Sequence, residues 1–198
     1  MNEQLLLPGM GLREPVSTDN LFFAILPDGD EAKRIRELGL EVGKLLGVRG
    51  KFRPMELLHI TMCHVGTYRN GLREGHVKAA MRVGEEVAAL SHLVEVTFDR
   101  VGTFSGREDG LPFVLRASEG NSGLHAIQKL LLTGLLKQGV RSNGNKSFDP
   151  HVTMACVKAA VDDLPIQPIR WTASEVLLIH SLVGKSEYRV LGRWSLAG

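Results

Sequence analysis

Two histidines in this chain sit in matching surroundings. His59-Ile60-Thr61-Met62 recurs 92 residues later as His151-Val152-Thr153-Met154. The chain has seven histidines, and chance supplies roughly 0.3 His-x-Thr triplets at this composition and length. Two copies, each with an apolar middle residue and a following Met, therefore mark a built feature. Both copies lie in strand-like sequence, where residues i and i+2 share a face. His59 and Thr61 then point one way, and Leu58, Ile60 and Met62 point the other way, into a core. The same division separates His151 and Thr153 from Val152 and Met154. If the two strands face one cleft, two imidazoles and two hydroxyls converge. An imidazole gives or takes a proton near neutral pH, and a hydroxyl donates to a phosphate oxygen. Such a set suits a phosphodiester: one His activates the nucleophile and the other protonates the leaving oxygen. The Thr pair holds the non-bridging oxygens. This chemistry needs no metal and no other cofactor, and the residues do not say which His is base and which is acid.

The elements that must position these groups follow from composition and punctuation. The chain has 198 residues, 43% hydrophobic and 23% charged, with a net charge of +2. These values are ordinary for one globular domain or two small lobes sharing a core. So small a basic excess disfavours a protein that coats long nucleic acid. Two cysteines are too few for a disulfide scaffold and point to a reduced compartment. Residues 1–19 read as a loose arm, and Leu5-Leu6-Leu7 stops at Pro8, which is neither a secretion signal nor a membrane span. A cytoplasmic location with no membrane association is the expectation. Leu21 to Leu26 reads as a buried strand, and Asp28 or Asp30 caps a helix with Ile35, Leu38, Val42, Leu45 and Leu46 inward. Further strands are expected at 57–65, 92–98, 113–115, 151–157, 175–182 and 188–194, with helices at 72–90 and 122–138. Elements are mixed without strict βαβ alternation, and no Gly-rich phosphate loop appears. The fold class is α+β with largely antiparallel sheet, and the 92-residue offset suggests an internal duplication into two lobes.

The paired motifs resemble those of the 2H phosphoesterase superfamily, and more closely the bacterial RNA 2′,3′-cyclic phosphodiesterases, also called 2′-5′ RNA ligase-like proteins. The resemblance runs from residue 21 and includes LFFAILP, LLHITMCHVG, FDPHVTMACV and the C-terminal EVLLIHS with Ser181, Tyr188 and Trp194 in order. QLLLPGM in the arm is similar to the start of some members. The resemblance implies one bilobal domain over 20–198, with two pseudo-twofold-related antiparallel sheets, flanking helices and a V-shaped cleft. It implies hydrolysis of a 2′,3′-cyclic phosphate at an RNA end to a 2′-phosphate, with weak 2′-5′ ligation as the reverse reaction. His59 and His151 carry over as catalytic residues, and Thr61 and Thr153 as phosphate-binding residues. Two alternatives stand beside it: a nucleotide- or RNA-binding module without turnover, and an enzyme for a small cyclic phosphate such as ADP-ribose 1″,2″-cyclic phosphate. Many bacterial members carry Arg five residues after the second His, where this chain has Cys156, and an apolar residue where it has His64.

Other residues are weaker candidates. By strand parity His64 lies opposite His59, in a core or edge role, whereas Cys63 shares the face of His59. A Cys–His nucleophile lacks a counterpart at Ala155, so Cys63 reads as a packing residue. A zinc site from His59, His64, His151 and a cysteine matches no usual ligand spacing. His76, His92, His125 and His180 read as surface or strand residues. Phe22 and Phe23 face opposite sides, so one at most stacks on a base; Phe23 is taken as that one, with Phe148 and Tyr188 as further aromatic contacts. Arg53, Arg141, Lys146 and Arg189 are candidate phosphate contacts, and the loop from Arg141 to Lys146 is the expected recruiting segment. RNA ends or nucleotides with a cyclic phosphate are the expected partners, and a monomer is the expected state.

Overall fold

The computed structural model describes residues 18–105, 110–142 and 147–197. Twelve main elements follow in order: β1 (Thr18–Ile25), α1 (Gly29–Leu45), β2 (Gly50–Phe52), β3 (Ile60–Arg69), α2 (Glu74–Leu90), β4 (Val94–Thr103), β5 (Leu111–Arg116), α3 (Ser122–Lys137), β6 (His151–Val157), β7 (Leu164–Ala173), β8 (Glu175–Leu182) and β9 (Glu187–Ser195). A short 3₁₀ turn at Met55–Leu57 precedes β3. β1 starts at Thr18, two residues inside the expected arm; residues 1–17 lie outside the described part. β2 and β7 were not expected. β2 is too short to show a pattern, and β7 contains Pro165 and Pro168. Proline lacks the ladder donor and belongs on edges, and β7 is an edge strand.

The strands pair in the order β7-β4-β5-β6-β3-β1-β8-β9, with β2 added to β6. Every pairing between these strands is antiparallel. The path falls into two four-stranded halves, β3-β1-β8-β9 and β6-β5-β4-β7, joined through one residue pair, Ile60–Val152. Those two residues are the second positions of the two motifs, so the pseudo-twofold axis runs between the motif strands. The α+β bilobal expectation matches this arrangement.

Helices cross between the halves. α1 follows β1 in one half but packs under β6 and β7 of the other, and α3 packs under β3 and β4. Asp28 caps α1 by accepting from the Glu31 amide at 2.9 Å, satisfying one of the orphan donors of the first turn. Gly39 and Gly43 turn inward, against Met154 and Phe52. Leu45 and Leu46 were expected inward and are instead exposed, because the helix stops there and Gly47 takes φ +62. One main core fills the space between sheet and helices, with Phe23, Ile60, Met62, Phe98, Phe113, Val152 and Met154 fully or almost fully buried. A smaller cluster on the opposite sheet face contains Phe22, Ala24, Leu177 and Ile179, with Leu26 and Tyr188 against it. Among the described residues, no helix is long and apolar enough to cross a membrane.

Candidate active site

The backbone around each motif departs from plain strand geometry in the same way. In the β1–β3 ladder Phe23 pairs with Cys63 and Ala24 with Thr61, which leaves Met62 as an extra residue. In the β5–β6 ladder Phe113 pairs with Ala155 and Val114 with Thr153, which leaves Met154 extra. Each bulge places two consecutive side chains on the core side: Met62 with Cys63, and Met154 with Ala155, all buried. A bulge shifts strand parity by one. His64 therefore lies on the face of Thr61, not opposite His59 as expected, and Cys63 leaves that face. Burial pushes the Cys63 thiol pKa up, so it stays protonated and is a poor nucleophile. Cys156 is the counterpart of His64 in the second copy.

Both histidines are oriented by the same local bond. His59 Nδ1 lies 2.9 Å from the Leu57 carbonyl, and His151 Nδ1 lies 2.7 Å from the Asp149 carbonyl. A carbonyl only accepts, so Nδ1–H donates in each case and Nε2 carries the lone pair of the neutral ring. Thr61 Oγ1 lies 3.1 Å from His59 Nε2 and donates to it in that tautomer.

The rings differ in what surrounds them. His59 is packed by Phe22, ring centroids 5.1 Å apart, and by Tyr188 at 5.4 Å. Burial, opposed in part by the Leu57 hydrogen bond and assisted by Arg53 and His151, lowers its pKa to about 4. His151 stands edge-on to Phe104, centroids 4.8 Å apart. Arg116 pairs directly with His151 across the β5–β6 ladder, lies over Phe104, and is paired to Asp163 at 3.0 Å and Asp149 at 3.5 Å.

A cavity of about 390 Å³ opens over the first motif and reaches Thr153 of the second, whereas His151 is not part of its lining. Its lining includes Phe22, Arg53, His59, Thr61, His64, Thr153 and Tyr188. Arg53 reaches it because its backbone N–H bonds to the Met154 carbonyl at 2.8 Å, extending the β2–β6 ladder by one residue. Its guanidinium donates to Tyr188 Oη at 3.2 Å. His64 Nε2 contacts Thr67 Oγ1 at 3.1 Å, and that hydroxyl donates to Asn20 Oδ1 at 2.7 Å. His64 therefore donates through Nε2, and burial lowers its pKa.

Of the expected contacts, Arg53 and Tyr188 line this cavity together with Thr61, Thr153 and His59. Phe23 does not: it is fully buried beside Trp194, centroids 6.3 Å apart, and Phe22 takes the cavity position. The choice between neighbours turns on register, and Phe113, the equivalent of Phe23 in the other half, is also fully buried. Phe148 does not reach this cavity either; it packs on the His125 ring and the main core. Lys146 lies outside the described residues, as does most of its loop. Arg189 is an exposed partner of Glu187 at 2.8 Å. His180 is not a plain strand residue; it contacts the buried carboxylate of Asp19 at 2.6 Å. Phe22, His64, Phe104 and Arg116 are the site residues that sequence parity missed. His64 is hidden by the bulge, Phe22 and Phe23 take opposite faces between which parity does not choose, and Phe104, just past β4, and Arg116, on β5, lie far from the motifs in sequence. Among the described residues no group of three or more His, Cys, Asp or Glu side chains could hold a metal ion.

The fold has solved counterparts. TT0787 of Thermus thermophilus superposes with a TM-score of 0.73 at 23% identity, covering 90% of this chain and 98% of that one. E. coli LigT in apo form gives 0.69 at 20% identity, covering 92% and 99%. E. coli LigT complexed with 3′-AMP gives 0.67 at 23% identity, covering 91% and 99%. No functionally curated protein matches the chain by sequence. The model of the 2′-5′ RNA ligase superfamily matches residues 29–185, most of the chain and both motifs, and the protein belongs to that superfamily.

Proposed function

We propose that this protein hydrolyses 2′,3′-cyclic phosphates at RNA ends to 2′-phosphates, using the two motif histidines as base and acid. The observation that carries the reading is the duplicated Nδ1–H to carbonyl bond. It gives both imidazoles one tautomer and leaves each Nε2 for proton transfer. Superfamily membership and the likeness to LigT, which is known in complex with 3′-AMP, support a nucleotide-like substrate.

His59 serves as the base. A histidine with a pKa near 4 is neutral at pH 7, so its Nε2 is ready to accept a proton from water. That water attacks phosphorus, and the P–O3′ bond breaks. His151 delivers a proton to the departing 3′ oxygen, leaving a 2′-phosphate and a 3′-hydroxyl. On substrate binding the Thr61 hydroxyl turns from His59 Nε2 to the phosphate, and Thr61 and Thr153 then donate to the non-bridging oxygens, whose charge increases toward the transition state. Arg53, beside Tyr188, adds a charge-assisted contact to the same phosphate. Every group comes from one chain, which supports a monomer.

The test is incubation of cyclic-phosphate-ended RNA and of 2′,3′-cyclic mononucleotides with the protein in EDTA, with the product identified by ³¹P NMR. The reading expects a 2′-phosphate and no turnover by His59→Ala/His151→Ala. Absence of hydrolysis by the native protein, or full activity in the double variant, overturns it.

A further inference from the structure

A second cavity of about 190 Å³ adjoins the first and shares Arg53, Leu57 and Ser186 with it. Its other lining residues include Lys51 and Cys156, neither of which borders the first cavity. Register explains the lining. β2 lies along β6 with Lys51 paired to Cys156 and Phe52 to Ala155. Side chains paired directly across a ladder share a face. Ala155 and Phe52 face the core side, where Phe52 packs on Gly43. Lys51 and Cys156 therefore face the cleft, and Arg53, two residues past Lys51, faces it too.

The cleft face of this edge thus carries two cations in a row, Arg53 beside Thr153 and Lys51 beside Cys156. Among the described residues neither is in an ion pair. Arg116 in the same half, by contrast, is held by Asp149 and Asp163. β2 can lie this close because residue 50 is glycine: a Cβ there would stand 2.3 Å from the Cys156 carbonyl oxygen.

We infer that Lys51 and Arg53 form a subsite for the phosphate that links the terminal nucleotide to its neighbour. The enzyme then takes an oligonucleotide end in preference to a mononucleotide. This rests on the proposed reaction and adds the length of substrate to it. Arg53 stands at the junction of the two cavities, where the cyclic phosphate and the next phosphate meet. Lys51 borders the second cavity alone, so its contact exists only when a second nucleotide is present.

The experiment compares a dinucleotide with a mononucleotide, each ending in a 2′,3′-cyclic phosphate. Lys51→Ala should lower the dinucleotide-to-mononucleotide ratio of kcat/KM about tenfold. Adding Cys156→Arg to that variant should restore most of the ratio, because residue 156 faces the same cavity. Calorimetric titration with a 2′-phosphate-ended dinucleotide reads the subsite without turnover. There the slope of log K against log salt should fall by about 0.7 on loss of one phosphate contact to a single strand. An unchanged ratio with an unchanged salt slope overturns the subsite. If the native protein hydrolyses neither substrate, the reaction is wrong, and the titration alone decides the subsite: a slope smaller by about 0.7 in Lys51→Ala supports it and an equal slope sinks it.

Discussion

The two motifs are copies in sequence, in bulge and in the bond that orients each imidazole, yet their surroundings differ. His59 sits among Phe22 and Tyr188, with Leu26 and Ala24 in the same apolar cluster. His151 sits beside Phe104, Arg116 and the carboxylates that hold Arg116. The ladders make the contrast specific. Arg116 pairs with His151, and the matching place beside His59, one residue past the Ile25–Ile60 pair, is Leu26. A duplicated scaffold supplies geometry twice, and divergence at a few neighbours buries the His59 ring and lowers its proton affinity. General acid–base catalysis needs one group empty and one loaded, and under the proposed mechanism dehydration of the His59 ring supplies the empty one.

The largest effect that tests this division comes from the imidazoles themselves. His59→Ala and His151→Ala should each lower kcat by about a hundredfold to ten-thousandfold. The double variant should fall little below the worse single one, because the pair acts as a unit. Equal and fully additive losses, read from single-turnover rates, would argue for two independent contributions. Next come the hydroxyls. Thr61→Val and Thr153→Val should cost roughly tenfold to a hundredfold in kcat, and Thr61→Val should cost more because Thr61 also touches His59 Nε2. The reverse order would contradict the assigned base.

Dehydration also leaves a mark on stability. The folded chain disfavours protonated His59, whereas the unfolded chain takes up that proton near pH 6.5. Between about pH 6.5 and 4 the unfolded state binds more protons, so stability falls as pH falls through this window. The contribution is on the order of 3 kcal/mol, and His64, lowered in the same direction, adds to it. Urea melts from pH 4 to 7 should show a shallower slope in His59→Gln, and the same slope as native would refute the burial argument. The smallest effect is expected from Tyr188→Phe. It removes the hydrogen bond from Arg53, net about 0.5–1.5 kcal/mol, and should raise KM a few-fold with kcat held.

The repeat made the four central residues legible because chemistry and strand parity coincide within a tetrapeptide. The α+β class and most elements were legible too, with β6 and β8 at their observed bounds, since apolar periodicity in those segments is clean. Parity failed one step beyond the motif. Met62 and Met154 look like ordinary strand residues, and nothing in a single sequence marks them as bulged. From that point His64 and Cys63 fall on the opposite faces from those expected, and Phe22 rather than Phe23 lines the cavity because parity says only that the two face opposite ways. β2 escaped because three residues carry no period, although it brings Lys51 and Arg53 to the cleft. Arg116 escaped because its relation to His151 exists only once β5 pairs with β6.

The division of labour is tested most directly by the pH dependence of kcat/KM on a cyclic-phosphate dinucleotide, for native protein and Tyr188→Ala. Loss of Tyr188 opens one side of His59 to water. The native profile should have its acid limb near pH 4, and the variant limb should move up toward 6.5. An acid limb between 6 and 7 in both proteins would contradict a dehydrated His59 acting as the base.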